Sequence, residues 1–67
     1  MKTFGRNLRN ERVWCGMSQL QLAKALNVSQ STIGNWENNY AKPSLEQIIA
    51  IMRTLDITFD DLIDGIE

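Results

Sequence analysis

Serine and threonine residues that immediately precede amphipathic stretches constrain this chain more than any other feature. Ser18 and Ser44 are each followed three residues later by glutamine, and Thr58 by Asp61, so all three segments fit the capping box that begins an α-helix. Ser29 precedes another amphipathic stretch without the reciprocal partner. No stretch alternates apolar and polar residues with a period of two. The pattern predicts an all-α fold of five helices, at about 3–15, 18–26, 29–38, 44–55 and 58–64.

The length of 67 residues predicts one small domain, 1–67. With one cysteine and no histidine, neither a disulfide nor a closed Cys/His zinc site can stabilise it. The longest apolar run, 48–52, falls far short of the ~20 residues that cross a membrane, and no secretory signal is recognisable. No nucleophile–base pair or phosphate-binding loop is present. We therefore expect a cytoplasmic protein that is not an enzyme, with no metal, cofactor, membrane or small-molecule ligand.

The net charge of −1 combines two unlike parts of the chain. Residues 1–42 carry six basic and two acidic side chains, whereas 43–67 carry one basic and six acidic ones. The resulting charges of +4 and −5 act separately, because a field decays over about 10 Å at 0.1 M salt. The overall acidity is therefore no argument against a nucleic-acid partner for the first part.

The segment 18–38 predicts two short helices joined by a tight turn. Leu22 and Leu26 share one face of the first helix, and Ala23 supplies the small side chain that a close helix crossing needs. Asn27 lies where the chain reverses, and asparagine tolerates the left-handed conformation better than other non-glycine residues. Val28 then fills the inside of the turn. This combination is typical of a helix-turn-helix.

From residue 4 to about 63, the chain resembles the five-helix DNA-binding domain of the phage repressor and Cro (XRE) family. The matching residues are Arg12, 16–19, Leu22, Ala23, 28–30, Ile33, 36–38, Pro43, Leu45, Ile48, Ile51, Leu55 and Leu62. Asn27 departs from the glycine that the family commonly has there, a change that the turn should tolerate. The resemblance implies a lambda-repressor-like fold and a transcriptional regulator that binds double-stranded DNA in the major groove.

The second helix of the pair has two unlike faces when its residues are arranged at 100° intervals. Ile33 and Trp36 form the core face. The opposite face carries no charge and consists of Gln30, Ser31, Gly34, Asn35 and Asn38. Glutamine and asparagine amides can pair with the exposed edge of adenine, whereas guanine is usually bound by arginine or lysine. The resemblance also implies base contacts by Gln30, Ser31 and Asn35, so we expect a preference for A·T pairs.

The sequence allows two interpretations of Gly34. Glycine inside a helix costs about 1 kcal/mol relative to alanine. Either the helix needs to approach a groove wall closely at this position, or the glycine reflects sequence drift.

Contacts to DNA phosphates are expected outside the base-contacting residues. Gln19 lies at the start of its helix, where its amide and the exposed backbone N–H groups can bind a phosphate together. Lys42 supplies a fixed charge after the second helix. The expected backbone-contacting residues are Gln19, Thr32, Asn38, Asn39, Tyr40 and Lys42.

Arg12 and Glu37 are expected to play a structural part. The resemblance implies a salt bridge between them that joins the first helix to the base-contacting helix. The alternative is that Arg12 contacts a phosphate.

A domain this small makes few base contacts, so we expect a homodimer, acting as a repressor on an inverted-repeat operator. The acidic C-terminal part offers Leu62, Ile63 and Ile66 as apolar residues for the dimer interface. The alternative function is a protein-interaction module, such as an antitoxin-like or adaptor domain. In that case Trp14, Tyr40 and the acidic tail would bind a protein partner.

Overall fold

The structure is a computed structural model that describes residues 3–66. Its helices are α1 (Phe4–Trp14), α2 (Gln19–Leu26), α3 (Gln30–Glu37), α4 (Leu45–Leu55) and α5 (Phe59–Ile63). Five helices and no strand over 3–66 confirm the all-α prediction, and every helix boundary lies within one residue of the predicted one. Met1, Lys2 and Glu67, which enter the charge balance above, lie outside the described residues.

Each helix begins after a serine or threonine whose hydroxyl accepts a hydrogen bond from the backbone N–H three residues later. The three predicted capping boxes are present. Gln21 and Gln47 accept bonds of 2.7 Å from the backbone N–H groups of Ser18 and Ser44. Asp61 does the same for Thr58 at 2.9 Å. The helix starts are thus determined by contacts within four residues of sequence.

The first four helices end in the same way. Gly16, Asn27, Asn39 and Asp56 adopt the left-handed conformation, with φ of 73°, 57°, 61° and 54°. The N–H of the following residue then donates to the carbonyl five residues back, with N–O distances of 2.9–3.1 Å. This Schellman arrangement satisfies carbonyl groups that a helix end leaves without partners. The left-handed conformation predicted at Asn27 is confirmed.

Replacing Asp56 by glycine should raise the free energy of unfolding by about 1 kcal/mol. Glycine enters the left-handed region without the steric cost of a Cβ, and the change removes a negative charge from the negative end of the α4 dipole. Urea unfolding measures the effect. Asp56→Ala is the control, since it removes the charge and keeps the Cβ. An equal gain in both variants would contradict the backbone explanation.

The core lies where the five helices meet. Its buried apolar residues are Leu8, Leu22, Ala23, Ile33, Trp36, Ile51, Leu55 and Leu62. Leu62 is 0% exposed, because α5 packs against α1 and directs this side chain inward. The prediction of Leu62 as a dimer contact is therefore wrong. Across 3–66, no helix combines the length and the apolar character that spanning a bilayer requires.

Candidate nucleic-acid interface

The predicted helix-turn-helix is formed by α2, the connecting residues 27–29 and α3. Asn27 reverses the chain at the end of α2, and the N–H of Val28 donates to the carbonyl of Ala23 at 3.0 Å. Ala23 is buried between the helices, and Val28 packs against the core as expected. These contacts fix the direction in which α3 leaves the turn.

The two faces of α3 differ as the helical angles predict. Ile33 and Trp36 are buried in the core. The other face forms an open polar groove, lined by Gln30, Ser31, Gly34, Asn35 and Asn38 together with Gln19 from α2. The structure therefore brings the three predicted base-contacting residues together with two of the predicted phosphate contacts. None of these side chains is charged. The groove, called here the α3 groove, is suited to hydrogen bonding rather than to ion pairing.

A buried ion pair holds α3 against α1. Arg12 donates from Nε to Glu37 Oε2 at 2.6 Å and from Nη2 to Glu37 Oε1 at 3.1 Å. Its Nη1 donates to the carbonyl of Met17 at 2.7 Å, and this bond holds the connection between α1 and α2 in place. Gln19 also donates its amide to Glu37 Oε1, at 3.1 Å. One carboxylate thus connects α1, α2 and α3.

The salt bridge expected between Arg12 and Glu37 is therefore present. The alternative for Arg12, a phosphate contact, does not fit the structure. The residue is 9% exposed and donates from all three guanidinium nitrogens within the chain. The side-chain amide nitrogen of Gln19 donates one of its two hydrogens to Glu37, which leaves the other hydrogen for a phosphate.

Two other expected phosphate contacts, Asn39 and Thr32, form hydrogen bonds within the chain. The side-chain oxygen of Asn39 accepts from the N–H of Gly5 at 3.1 Å, and its nitrogen donates to Thr3 Oγ1 at 3.0 Å. Asn39 therefore caps the start of α1 and fixes the loop after α3. Thr32 is half-buried, and its hydroxyl lies 2.8 Å from that of Ser29.

Tyr40 and Lys42 lie outside the α3 groove. Tyr40 is 82% exposed. Lys42 lines a separate apolar groove, together with Phe4, Pro43, Ile48, Phe59, Ile63 and Ile66. This surface is called here the α5 groove. Two of the three residues predicted for the dimer interface, Ile63 and Ile66, belong to it.

Two residues that position the site were missed from the sequence. Asn7 is buried and donates to the carbonyls of Leu62 and Asp64, at 2.8 and 2.9 Å, which attaches the end of α5 to α1. A Cβ on Gly5 would lie 2.5 Å from the carbonyl oxygen of Trp36 and closer still to that of Glu37. Gly5 thus permits the close approach of α1 to the end of α3. Asn7 follows Phe4 by about one helical turn, so both residues lie on the same side of α1. This spacing is the one signal in the sequence that Asn7 borders the core face.

Comparisons with known proteins agree with this geometry. The model of the helix-turn-helix family matches residues 8–62. The transcriptional activator BcrR of Enterococcus faecalis, described as HTH-type, is 33% identical over 64 residues, which cover 96% of this chain and 31% of BcrR. The chain thus spans less than a third of the length of that relative.

Two solved structures are similar to this chain over most of its length. The c2 repressor of P22, solved in complex with a synthetic operator, has a TM-score of 0.88 and 28% identity, over 97% of this chain and 98% of that one. The restriction-modification controller protein C.AhdI from Aeromonas hydrophila has a TM-score of 0.81 and 34% identity, over 88% and 89% of the two chains. The chain therefore belongs to the helix-turn-helix family of the phage-repressor (XRE) type.

Proposed function

We propose that this protein is a transcriptional regulator that binds double-stranded DNA sequence-specifically, with α3 in the major groove. The observation that carries the proposal is the α3 groove, in which Gln30, Ser31 and Asn35 lie together on the exposed face of a helix whose other face is buried. The likeness to the P22 c2 repressor, whose structure contains an operator, supports it.

The chemistry of the groove favours A·T pairs. An amide can donate to N7 and accept from the N6 amino group of adenine at the same time, so Gln30 and Asn35 can each select one adenine. Ser31 can donate or accept and adds less discrimination. The lining residues include no arginine or lysine, the side chains that most often select guanine.

Phosphate contacts would position α3 in the groove. Gln19, Thr32, Asn38, Tyr40 and Lys42 are the proposed residues, with Gln19 supported by the backbone N–H groups at the start of α2. Asn39 would act by holding the loop that carries Asn38 and Tyr40, since its own amide is occupied.

Selection from a pool of random duplexes tests the function directly. The expected result is an enriched, A·T-rich inverted repeat. A selection that enriches no sequence, with a protein shown by circular dichroism to be helical, would contradict sequence-specific binding.

The regulator is proposed to act as a homodimer. Two copies would place their α3 helices in successive major grooves about 34 Å apart and would repress by covering a promoter. The α5 groove is the proposed interface, because the exposed apolar side chains of Phe59, Ile63 and Ile66 lie there beside the half-buried Phe4 and Ile48. Ile63 and Ile66 are 37% and 42% exposed in the isolated chain.

A substitution in the α5 groove tests the dimer. Ile63→Asp should give a monomer in sedimentation equilibrium and lower affinity for the inverted repeat at least about 30-fold, because a second bound copy contributes nothing without the interface. Ile49→Asp is a matched control, since Ile49 is 39% exposed but does not line the α5 groove. If wild type remains monomeric at high micromolar concentration with and without the repeat, the dimer proposal is wrong.

A second candidate function is a protein-interaction module of the antitoxin-like or adaptor kind. It is favoured by Trp14, which is 88% exposed on α1 beside Arg6 and Arg9. Tryptophan and arginine are the residues most enriched among energetic centres of protein interfaces. A random-duplex selection that fails, followed by binding of a protein partner that Trp14→Ala abolishes, would establish this function instead.

A further inference from the structure

Gly34 differs from the other helical glycine, Gly5, in having no structural reason to be glycine. At Gly5 a Cβ would collide with the backbone of Trp36 and Glu37. At Gly34 a Cβ would have no atom of residues 3–66 within 4 Å apart from its two sequence neighbours and the backbone of its own helix, and the backbone has ordinary helical geometry. Alanine there would stabilise the helix at no steric cost. Among residues 3–66, no contact therefore offsets the cost of this glycine.

The position of Gly34 points to a ligand that approaches the backbone. It lies in the α3 groove, four residues after Gln30 and four before Asn38, with Ser31 and Asn35 beside it. At this point the helix presents only its Cα and peptide backbone to the groove. The Cα of the glycine is an apolar point in a groove that is otherwise bordered by amides and a hydroxyl.

We propose that the surface over Gly34 receives the 5-methyl group of a thymine in each half-site. This inference rests on the proposed DNA-binding function and deepens it. The thymine methyl is the apolar group that base edges present in the major groove. The neighbouring amides suit adenine, the partner of thymine, so one A·T pair can be selected through both of its bases. The side chain of any other residue at position 34 would occupy the space of the methyl.

Replacing thymine by uracil removes this methyl and leaves base pairing unchanged. In the duplex obtained by selection, each thymine of one half-site is replaced in turn. At one of these positions, the replacement should lower the affinity of wild-type protein for the duplex about threefold to tenfold. A loss of this size corresponds to the free energy of burying roughly one to two methyl equivalents. The other thymine positions should change less than twofold.

Gly34→Ala tests whether the effect belongs to this residue. The variant should bind the thymine duplex more weakly than wild type does, and the thymine-to-uracil loss at that position should vanish or reverse. Its melting temperature should rise by about 4–8 °C, which separates the loss of binding from a loss of folding. Ala25→Gly on the exposed surface of α2 is the control. It should lower the melting temperature, and the ratio of its affinities for the thymine and uracil duplexes should equal that of wild type.

The outcomes separate this inference from the proposed function. If selection succeeds but no thymine is sensitive, or if the sensitivity persists in Gly34→Ala, the methyl site is wrong and DNA binding stands. If selection enriches no duplex, DNA binding is wrong and the methyl site with it.

Discussion

Glu37→Ala should lower the free energy of unfolding by about 3–4 kcal/mol, the largest stability effect we expect from a polar residue of this chain. The change leaves the Arg12 guanidinium in a buried position without its carboxylate, and it removes the partner of the Gln19 amide. A 67-residue domain has about 3–10 kcal/mol of stability in total. Urea unfolding followed by circular dichroism should therefore show a variant with little stability left.

Removing both charges should be less harmful than removing one. In Arg12→Met with Glu37→Met, apolar side chains fill the same space and no buried charge lacks a partner, so most of the loss should be recovered. Glu11→Ala is the control, because no ion pair involves this neighbouring carboxylate among residues 3–66; it should change stability by less than about 0.5 kcal/mol. A double variant as unstable as Glu37→Ala would contradict the desolvation argument.

Gln30→Ala combined with Asn35→Ala should lower affinity for the selected duplex at least about 30-fold and abolish sequence selection. Each amide that pairs with adenine through two hydrogen bonds contributes about 1–3 kcal/mol of discrimination. Both side chains are exposed and make no hydrogen bond within residues 3–66, so the fold should remain intact. Competition binding against an unrelated duplex measures the loss.

Binding that does not depend on sequence should survive in this double variant. The proposed phosphate contacts are unchanged, so weak affinity that falls with rising salt should remain. Asn10→Ala, which removes an exposed amide from the outer surface of α1, is the matched control and should bind like wild type. If the double variant enriches the same sequence as wild type does, α3 is not the base-contacting element.

The local features of this protein followed from the sequence alone. The helix starts at Ser18, Ser29, Ser44 and Thr58, the left-handed turn at Asn27 and the two faces of α3 were all predicted and are present. Each depends on residues within about five positions of one another, so the identity of neighbouring residues is enough to determine it. The grouping of Gln30, Ser31 and Asn35 belongs to this class, because one helical face carries all three.

Only the tertiary structure decided which residues join the helices. Asn39 meets Gly5 across 34 residues of sequence, Asn7 meets Leu62 across 55, and Arg12 meets Glu37 across 25. The last pair was expected from family resemblance and not from spacing. The sequence predicts Leu62 as a dimer contact because a five-residue helix shows too little periodicity to reveal its buried side. Contacts of this kind depend on how the helices pack, and a polar residue that bonds across the fold looks in the sequence like one that faces water.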